Sequence, residues 1–226
     1  MKLLIGGFIA LVSSGSVGAE PLLEGRVRLS SGQPAVGVQV RLFDLADMSQ
    51  TPQMYWTHQT DETEGTGKIQ RANLDGSNIE TLISGLDKPF GLALDVTGGK
   101  VYWTGQDKIQ RAKIQRANLD GSNIEALVTA FPLGLALDLS GDKMYWTGGD
   151  KIQRANLDGS NTETLVSTEE DDVGFSRYLA LNVSGGNMYW TGGDKIQRAN
   201  LDGSNIETLV TLITGLEALT SIVIAP

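Results

Sequence analysis

The chain has 226 residues, a formal net charge of −9 and no cysteine. The negative charge argues against binding to nucleic acid or to an anionic membrane surface, because both attract positive charge on a protein. The lack of cysteine excludes disulfide bonds, thiol catalysis and cysteine-based zinc sites.

Residues 1–19 are predicted to be a secretory signal peptide. Lys2 supplies the positive end, an apolar run extends from Leu3 to Val12, and Val17-Gly18-Ala19 has the small residues of a cleavage site. The alternative is a membrane anchor, but the apolar run is shorter than the roughly 20 residues that span a bilayer. We therefore expect a secreted, periplasmic or cell-surface protein without membrane insertion after cleavage.

Residues 20–50 are predicted to form a short N-terminal β-hairpin and a linker. The runs Gly25–Leu29 and Gly37–Leu42 alternate apolar and polar residues on either side of a turn at Ser31–Pro34. They resemble the opening of carboxypeptidase-regulatory-like β-sandwich modules, but two strands are too few for an independent core. The segment is expected to pack on the rest of the protein or to be the remnant of a lost module.

Residues 51–226 contain a unit that occurs four times. The triplet Tyr-Trp-Thr starts at Tyr55, Tyr102, Tyr145 and Tyr189. These starts are 47, 43 and 44 residues apart, and each triplet is followed by Lys-Ile-Gln-Arg-Ala-Asn-Leu-Asp-Gly-Ser-Asn. A Leu-Ala-Leu run precedes three of the triplets, and a run such as Glu80–Ile83 closes each unit.

The four runs of each unit are predicted β-strands, separated by Gly-rich and Asp-Gly-Ser-Asn turns. A repeat of about 40–45 residues with four strands is typical of a β-propeller blade. The abundance of glycine, 28 residues, suits an all-β protein with many tight turns. The sequence thus predicts an all-β propeller with about four four-stranded blades.

The paired YWT and RANLDGSN motifs resemble the YWTD (low-density lipoprotein receptor class B) repeat family, from about Gln53 to Ala225. The resemblance implies a propeller that binds other proteins outside the cell, and family members have six blades. The chain departs from the family in having four copies. It also departs at the fourth motif position, where the family's Asp is replaced by His58, Gly105, Gly148 and Gly192.

The sequence allows two ways of completing the ring of blades. Residues 213–224 parallel the stretch from Ile83 to Leu94, so the chain ends on a first strand without a YWT triplet after it. The first expectation is that Ile222–Ile224 completes the blade that contains Tyr55, which closes a ring of four blades without exposed strand edges. The alternative is an incomplete ring, completed by a second copy in a homodimer or by the N-terminal strands.

A duplicated Lys-Ile-Gln-Arg-Ala, Lys108–Ala112, lengthens the second unit by five residues. An odd insertion within a strand would move every following side chain to the opposite face of the sheet. Because the rest of that unit has an ordinary pattern, the extra copy is expected to be looped out of the blade.

The constant polar and aromatic residues of the units are interpreted as scaffold. The Tyr and Trp residues are expected to pack between blades rather than to form an aromatic binding surface. The carboxylates of the Asp-Gly-Ser-Asn motifs are expected to form turns rather than to bind calcium, which needs several converging oxygen ligands. Those at the ends of the Leu-Ala-Leu runs are expected to cap turns rather than to line a channel. The residues in question are Asp75, Asp120, Asp158 and Asp202, and Asp95, Asp138 and Asn182.

The sequence predicts no enzyme, no cofactor and no metal. The single histidine is His58, and the chain has no P-loop, dinucleotide fingerprint or zinc motif. The leading hypothesis is a protein-binding scaffold. A structural surface repeat protein is the first alternative, and a metal-dependent lactonase or hydrolase-type propeller is the second.

Differences in loop length between the four units indicate where a ligand binds. They fall in the loops between second and third strands and in those between blades, which lie on one face of a propeller, and so do both acidic clusters. The predicted protein-binding face comprises His58, Asp61, Glu62, Glu64, Glu169, Glu170, Asp171 and Asp172. Its expected ligand is a basic protein segment, another surface component or a cation; the alternative is drift in unconstrained loops.

Overall fold

The computed structural model describes most of the repeat region and two short strands before it. The described residues are 9–11, 40–42, 53–59, 65–106, 112–148, 151–167, 178–192, 195–211 and 222. Every regular element among them is a β-strand. A helix with the length and hydropathy to cross a membrane does not occur in these ranges.

The strands follow the predicted runs of each repeat unit. In chain order they are β1 (Ile9–Leu11), β2 (Val40–Leu42), β3 (Gln53–His58), β4 (Gly67–Asn73), β5 (Glu80–Leu86), β6 (Leu92–Asp95), β7 (Lys100–Gln106), β8 (Ala112–Asn118), β9 (Glu125–Thr129), β10 (Leu135–Asp138), β11 (Lys143–Gly148), β12 (Lys151–Asn156), β13 (Glu163–Ser167), β14 (Leu179–Asn182), β15 (Asn187–Gly192), β16 (Lys195–Asn200) and β17 (Glu207–Thr211).

The strands form four sheets, one for each repeat unit. The first has the order β1-β2-β3-β4-β5, and the others have the orders β6-β7-β8-β9, β10-β11-β12-β13 and β14-β15-β16-β17. Neighbouring strands are antiparallel except β1 and β2, which are parallel. The all-β fold with four-stranded blades is therefore confirmed. We call the sheets blades one to four, and β2–β5 count as the first to fourth strands of blade one.

The same sequence produces the same register in every blade. Tyr145 pairs with Arg154 and Trp146 with Gln153, and the corresponding residues of the other blades pair likewise. A shift in register between Ile and Gln of the third strand also recurs in all four blades, for example between Ile152 and Gln153. The repeat sequence therefore specifies the irregularity as well as the strands.

The duplicated segment leaves the register of blade two intact. Its second copy fills the third strand, since Lys113 pairs with Gly105 as Lys151 pairs with Gly148 in blade three. Ala112 adds one further pair, with Gln106. The other four residues of the extra copy, 108–111, lie outside the described residues.

The hydrophobic core lies between the blades rather than within a single sheet. The Tyr of each triplet lies on the forward face of its blade and the Trp lies on the backward face. From blade one to blade four, the forward face of each blade packs against the backward face of the next. Trp103, Trp146 and Trp190 are 0% exposed, and Tyr102 and Tyr145 are 1% exposed. Packing is therefore the role of these rings, as the sequence predicts.

Polar groups join neighbouring blades as well. The Thr57 hydroxyl donates a hydrogen bond to the carbonyl of Phe90 at 3.1 Å, and Thr104 donates to Leu133 at 2.9 Å. The Gly159 turn lies so close to blade two that a Cβ added there would be 2.6 Å from the carbonyl oxygen of Leu127. Glycine, at a φ of 85°, is therefore required at this contact.

The expected closure by Ile222–Ile224 is wrong for the strand beside Tyr55. That position is occupied by β2, in which Val40 pairs with Trp56 as Leu92 pairs with Trp103 in blade two. β2 also contacts β6, as β6 contacts β10 and β10 contacts β14. An inner strand needs only a few residues that fit the main-chain ladder, and Val40–Leu42 meets that need from the N-terminal side.

Candidate binding surface

The blades present two edges with different connections. Lys151 pairs with Gly148 of the second strand and with Ser167 of the fourth, so the loops after both strands leave at the same edge. The same pairing occurs in the other blades. We call this the variable edge, since the differences in loop length among blades two to four fall there. In blade one the connection between the first and second strands, residues 43–52, is also longer than its four-residue counterparts, and it belongs to the opposite edge. The opposite edge, which carries the Gly-rich and Asp-Gly-Ser-Asn turns, is the turn edge.

The predicted acidic residues belong to loops of the variable edge. His58 is half-buried and is the last residue of β3, where it pairs with Lys68. Asp61, Glu62 and Glu64 follow it before β4, and Glu169, Glu170, Asp171 and Asp172 fall between β13 and β14. These seven residues lie outside the described residues, so their role remains a prediction.

Four lysines at the variable edge were missed by the sequence argument. They are the Lys residues that begin Lys-Ile-Gln-Arg-Ala: Lys68, Lys113, Lys151 and Lys195. Lys151 is exposed and the other three are half-buried. Their fixed position next to the variable loops was the signal that could have identified them. The described part of this edge therefore carries positive charge, in addition to the acidic residues that the sequence assigns to its loops.

Aromatic residues lie at the variable edge where the chain enters blades two to four. The rings of Phe90 and Tyr178, which precede β6 and β14, have centroids 5.9 Å apart and are tilted by 39°. Phe131, in the loop before β10, is 75% exposed. Aromatic side chains are enriched in surfaces that bind proteins.

A glycine after the YWT triplet positions one of these aromatic loops. A Cβ added to Gly148 would lie 2.4 Å from the carbonyl oxygen of Phe131, and one added to Gly105 would lie 3.2 Å from that of Asp87. The loop that enters each of these blades thus approaches a position where the YWTD family has Asp. The departure from the family motif therefore has a steric reason in blade three, where any side chain would collide with the loop.

The Asp side chains of the turn edge are engaged by their own turns. In blade three the Asp158 carboxylate accepts hydrogen bonds from the Ser160 amide at 2.8 Å and from its hydroxyl at 2.6 Å. The other three Asp-Gly-Ser-Asn turns have the same bonds. These contacts confirm the predicted turn role, and a group of three metal-ligating side chains does not occur in the described residues.

The residues that end the inner strands also act as predicted. Asp95 accepts from the Gly98 amide at 2.7 Å, Asp138 from Gly141 at 2.9 Å, and Asn182 from Gly185 at 2.9 Å. A concavity of about 470 Å³ lies beside them on the turn edge; it is lined by Asp95, Thr97, Gly98, Leu139, Ser140, Asp142 and Leu157. Of the carboxylates that line this concavity, that of Asp95 already accepts a hydrogen bond within its turn.

The serine hydrogen bonds lower the pKa of Asp75, Asp120, Asp158 and Asp202 below the ordinary value, first through the hydroxyl and then through the amide. A lowered pKa in the folded state adds stability above the unfolded-state value of about 4, and this stability is lost as the pH falls through the folded-state value. We predict that Ser160→Ala reduces the difference in Tm between pH 7 and pH 3, because it removes the strongest of these bonds at Asp158.

Thermal unfolding followed by circular dichroism over this pH range checks that prediction. Thr162→Ala is the matched control, because its hydroxyl contacts the Gly159 carbonyl and not Asp158. An equal change in the pH dependence of Tm for both variants would contradict the assignment.

The comparisons with known proteins agree with this architecture. No protein-family profile matches the chain. A structure of a nidogen/laminin complex contains a chain that is 26% identical, with a TM-score of 0.67 over 86% of this chain and 71% of that chain.

Two bacterial structures share the fold alone. They are a putative TolB from Agrobacterium tumefaciens, 17% identical with a TM-score of 0.59, and a gluconolactonase from Xanthomonas campestris, 17% identical with a TM-score of 0.55. Each match covers 70% of this chain, which spans about three-fifths of either protein (61% and 59%). The sheets, their stacking and these similarities show that the chain is an all-β protein with a β-propeller fold.

Proposed function

We propose that the chain is a non-enzymatic, exported, protein-binding propeller of the YWTD type. The observation that carries the proposal is its similarity to the propeller of a nidogen/laminin complex, which is 26% identical over most of this chain. The YWT and RANLDGSN motifs, which resemble the YWTD repeat, support the same type. The predicted signal peptide supports export to the periplasm, the cell surface or the medium. Its cleavage removes β1 and leaves β2–β5 as the four strands of blade one.

The contrast between the two edges of the blades indicates which surface binds the partner. The YWT residues are buried between blades, and the Asp-Gly-Ser-Asn carboxylates are bonded within their turns. Both sets of constant residues are therefore used by the scaffold. The variable edge combines loops of unequal length, the exposed ring of Phe131 and charges of both signs. We propose that the partner binds there and that its basic side chains contact the acidic loops.

Neutralising the acidic loop before β14 tests this surface. We predict that a variant with Glu169→Gln, Glu170→Gln, Asp171→Asn and Asp172→Asn binds immobilised poly-lysine about tenfold more weakly than the wild type, a loss of about 1.4 kcal/mol. Poly-glutamate is the probe of opposite charge. Binding measured at two ionic strengths should show a weaker salt dependence for the variant.

The matched control raises the net charge by the same amount on the turn edge. It carries Lys at the residue that follows each Asp-Gly-Ser-Asn turn: Ile79, Ile124, Thr162 and Ile206. All four are exposed, so the substitutions leave the core intact. An equal loss of binding in the control would assign the effect to overall charge and would contradict the proposed surface.

The alternative function is a metal-dependent lactonase or hydrolase. The similarity to a gluconolactonase is at 17% identity and concerns the fold. One carboxylate oxygen of Asp95 and one of Asp138 accept a turn amide, so each side chain has one oxygen engaged in its turn. Hydrolysis of gluconolactone with added divalent cations would favour the alternative if Asp95→Asn abolished it. This substitution preserves the turn, as Asn182 does in blade four.

A further inference from the structure

The forward face of blade four is an apolar sheet face without the cover that the other forward faces have. Val166 of blade three is 3% exposed, whereas the corresponding Val210 is 41% exposed. Leu209 is 43% exposed, and Tyr189 and Ile196 are half-buried although their counterparts in blade three are buried. We call this surface, formed by Tyr189, Ile196, Leu209 and Val210, the open face.

A polar group of the open face also lacks the partner that its counterparts have. The Arg154 guanidinium donates to the carbonyl of Leu201 in the next blade at 3.1 Å, and Arg116 donates to Leu157 at 3.1 Å. Arg71 makes the same bond to Leu119 at 3.4 Å. Arg198 forms an ion pair with Glu207, but in the described part of the chain no carbonyl of another blade accepts from it.

Blade one, at the other end of the stack, has an incompletely covered surface that complements the open face. On the backward face of blade one Trp56 is half-buried, whereas the other three triplet tryptophans are fully buried. Leu74 on the same face is half-buried too. Met54 and Ala72, deeper in this face, are already covered, at 7% and 0% exposure. We call the half-buried part, Trp56 and Leu74, the Trp56 face.

Three interfaces within the chain show which kind of surface packs against a face like the open face. The three core clusters join blades one and two, two and three, and three and four. Each consists of Tyr, Ile and a branched aliphatic residue on one side and of Trp, Met or Val, and Leu on the other. Among the described residues, a fourth cluster that joins blade four to blade one is absent. The open face of blade four thus has one half of this interface, and Trp56 and Leu74 of blade one have part of the other half.

We propose that the open face of one copy of the chain binds the Trp56 face of a second copy. Trp56 of the second copy packs on Tyr189, Ile196 and Val210, as Trp146 packs with Tyr102, Ile114 and Val128 inside the chain. Arg198 donates to the main-chain carbonyl of the second copy's Leu74, as Arg116 donates to Leu157. The contact is heterologous, because different surfaces of the two copies meet, and it continues the blade stack from one molecule into the next.

The association state in solution tests the proposal. We expect the purified full chain to associate with rising concentration in sedimentation and light-scattering measurements, and Val210→Asp to remain monomeric. Ile206→Asp is the matched control, because Ile206 is at least as exposed as Val210, at 50% against 41%, but lies on the turn edge of the same blade. A monomeric wild type, or equal effects of the two variants, would overturn the proposal and leave the open face to the chain's own remaining residues.

Mixing two variants separates this arrangement from a symmetric one. Val210→Asp retains the Trp56 face, and Leu74→Asp retains the open face, so neither should associate alone. Their equimolar mixture keeps one intact interface and should form heterodimers and nothing larger. If Leu74→Asp associates by itself, two open faces pair with each other and the proposed arrangement is wrong. The thermal unfolding of each variant, compared with that of the wild type, verifies that it is folded.

Cross-linking supplies a second measurement that does not depend on losing a contact. In each core cluster a leucine of one blade lies with a leucine of the next blade. The pairs are Leu82 and Leu119, Leu127 and Leu157, and Leu165 and Leu201. The corresponding pair between two copies is Leu209 and Leu74. Because the chain has no cysteine, a Leu74→Cys/Leu209→Cys variant should form a ladder of disulfide-linked multimers upon mild oxidation. Cross-linked dimers of the Leu209→Cys single variant would instead contradict the head-to-tail contact.

Discussion

Replacing Trp146 with alanine should lower the free energy of unfolding by about 3–5 kcal/mol. The indole is 0% exposed and lies in the cluster between blades two and three, where it meets Tyr102, Ile114 and Val128. The truncation removes a large apolar surface from the core and leaves a cavity that the rigid sheets on both sides cannot fill. Urea unfolding followed by circular dichroism measures the loss.

Two controls use differences in exposure within the same chain. Phe131→Ala removes an aromatic ring that is 75% exposed, and the free energy of unfolding should change by no more than about 0.5 kcal/mol. Trp56→Ala removes the half-buried tryptophan of blade one and should fall between these two variants. Equal losses for Trp146→Ala and Trp56→Ala would show that the stability of the blade stack does not depend on packing between blades.

Replacing Arg154 with alanine should cost about 2 kcal/mol of unfolding free energy. The guanidinium donates to the Leu201 carbonyl of blade four and lies over the Tyr145 ring, 5.7 Å from its centroid. It also pairs with Glu163, but that carboxylate is half-exposed, so the ion pair itself contributes little. Most of the loss should therefore come from the bond to blade four and from the contact with the Tyr145 ring, which lies in the same blade as Arg154.

Arg198→Ala is the matched control for this prediction. Arg198 has the same type of ion pair, with Glu207, but among the residues that the structure describes it donates to no carbonyl of another blade. Its replacement should change the stability of the isolated chain much less than Arg154→Ala does, as measured by the same unfolding experiment. A loss as large as that of Arg154→Ala would mean that the ion pair, and not the link between blades, is the stabilising contact.

The turns and strands of this protein could be predicted well because each depends on neighbouring residues. The Asp-Gly-Ser-Asn turn closes through bonds between residues two positions apart, so Asp158 and Ser160 form it wherever the motif occurs. Antiparallel strands joined by short turns leave little freedom of register. For the same reason the sequence could anticipate that the duplicated segment leaves blade two in register.

Other features depended on contacts between distant residues and could not be predicted. Ile222–Ile224 has the apolar residues of a first strand, whereas Val40–Leu42 contains Arg41, and only the folded chain shows that Val40–Leu42 lies beside Tyr55. The glycine at position 148 looked like a lost motif residue until the Phe131 loop was seen against it. The four lysines at the variable edge were overlooked because they belong to the constant part of the repeat.

The amino-acid sequence by itself determined the four repeated blades, since their strands, turns and buried YWT residues follow from local periodicity and turn chemistry. Only the tertiary structure decided how the blades meet and where the stack ends. The units are nearly identical in sequence, and yet Val210 is 41% exposed whereas Val166 is 3% exposed. The physical reason is that burial at a blade surface depends on the presence of the neighbouring blade and not on the residues of the surface itself.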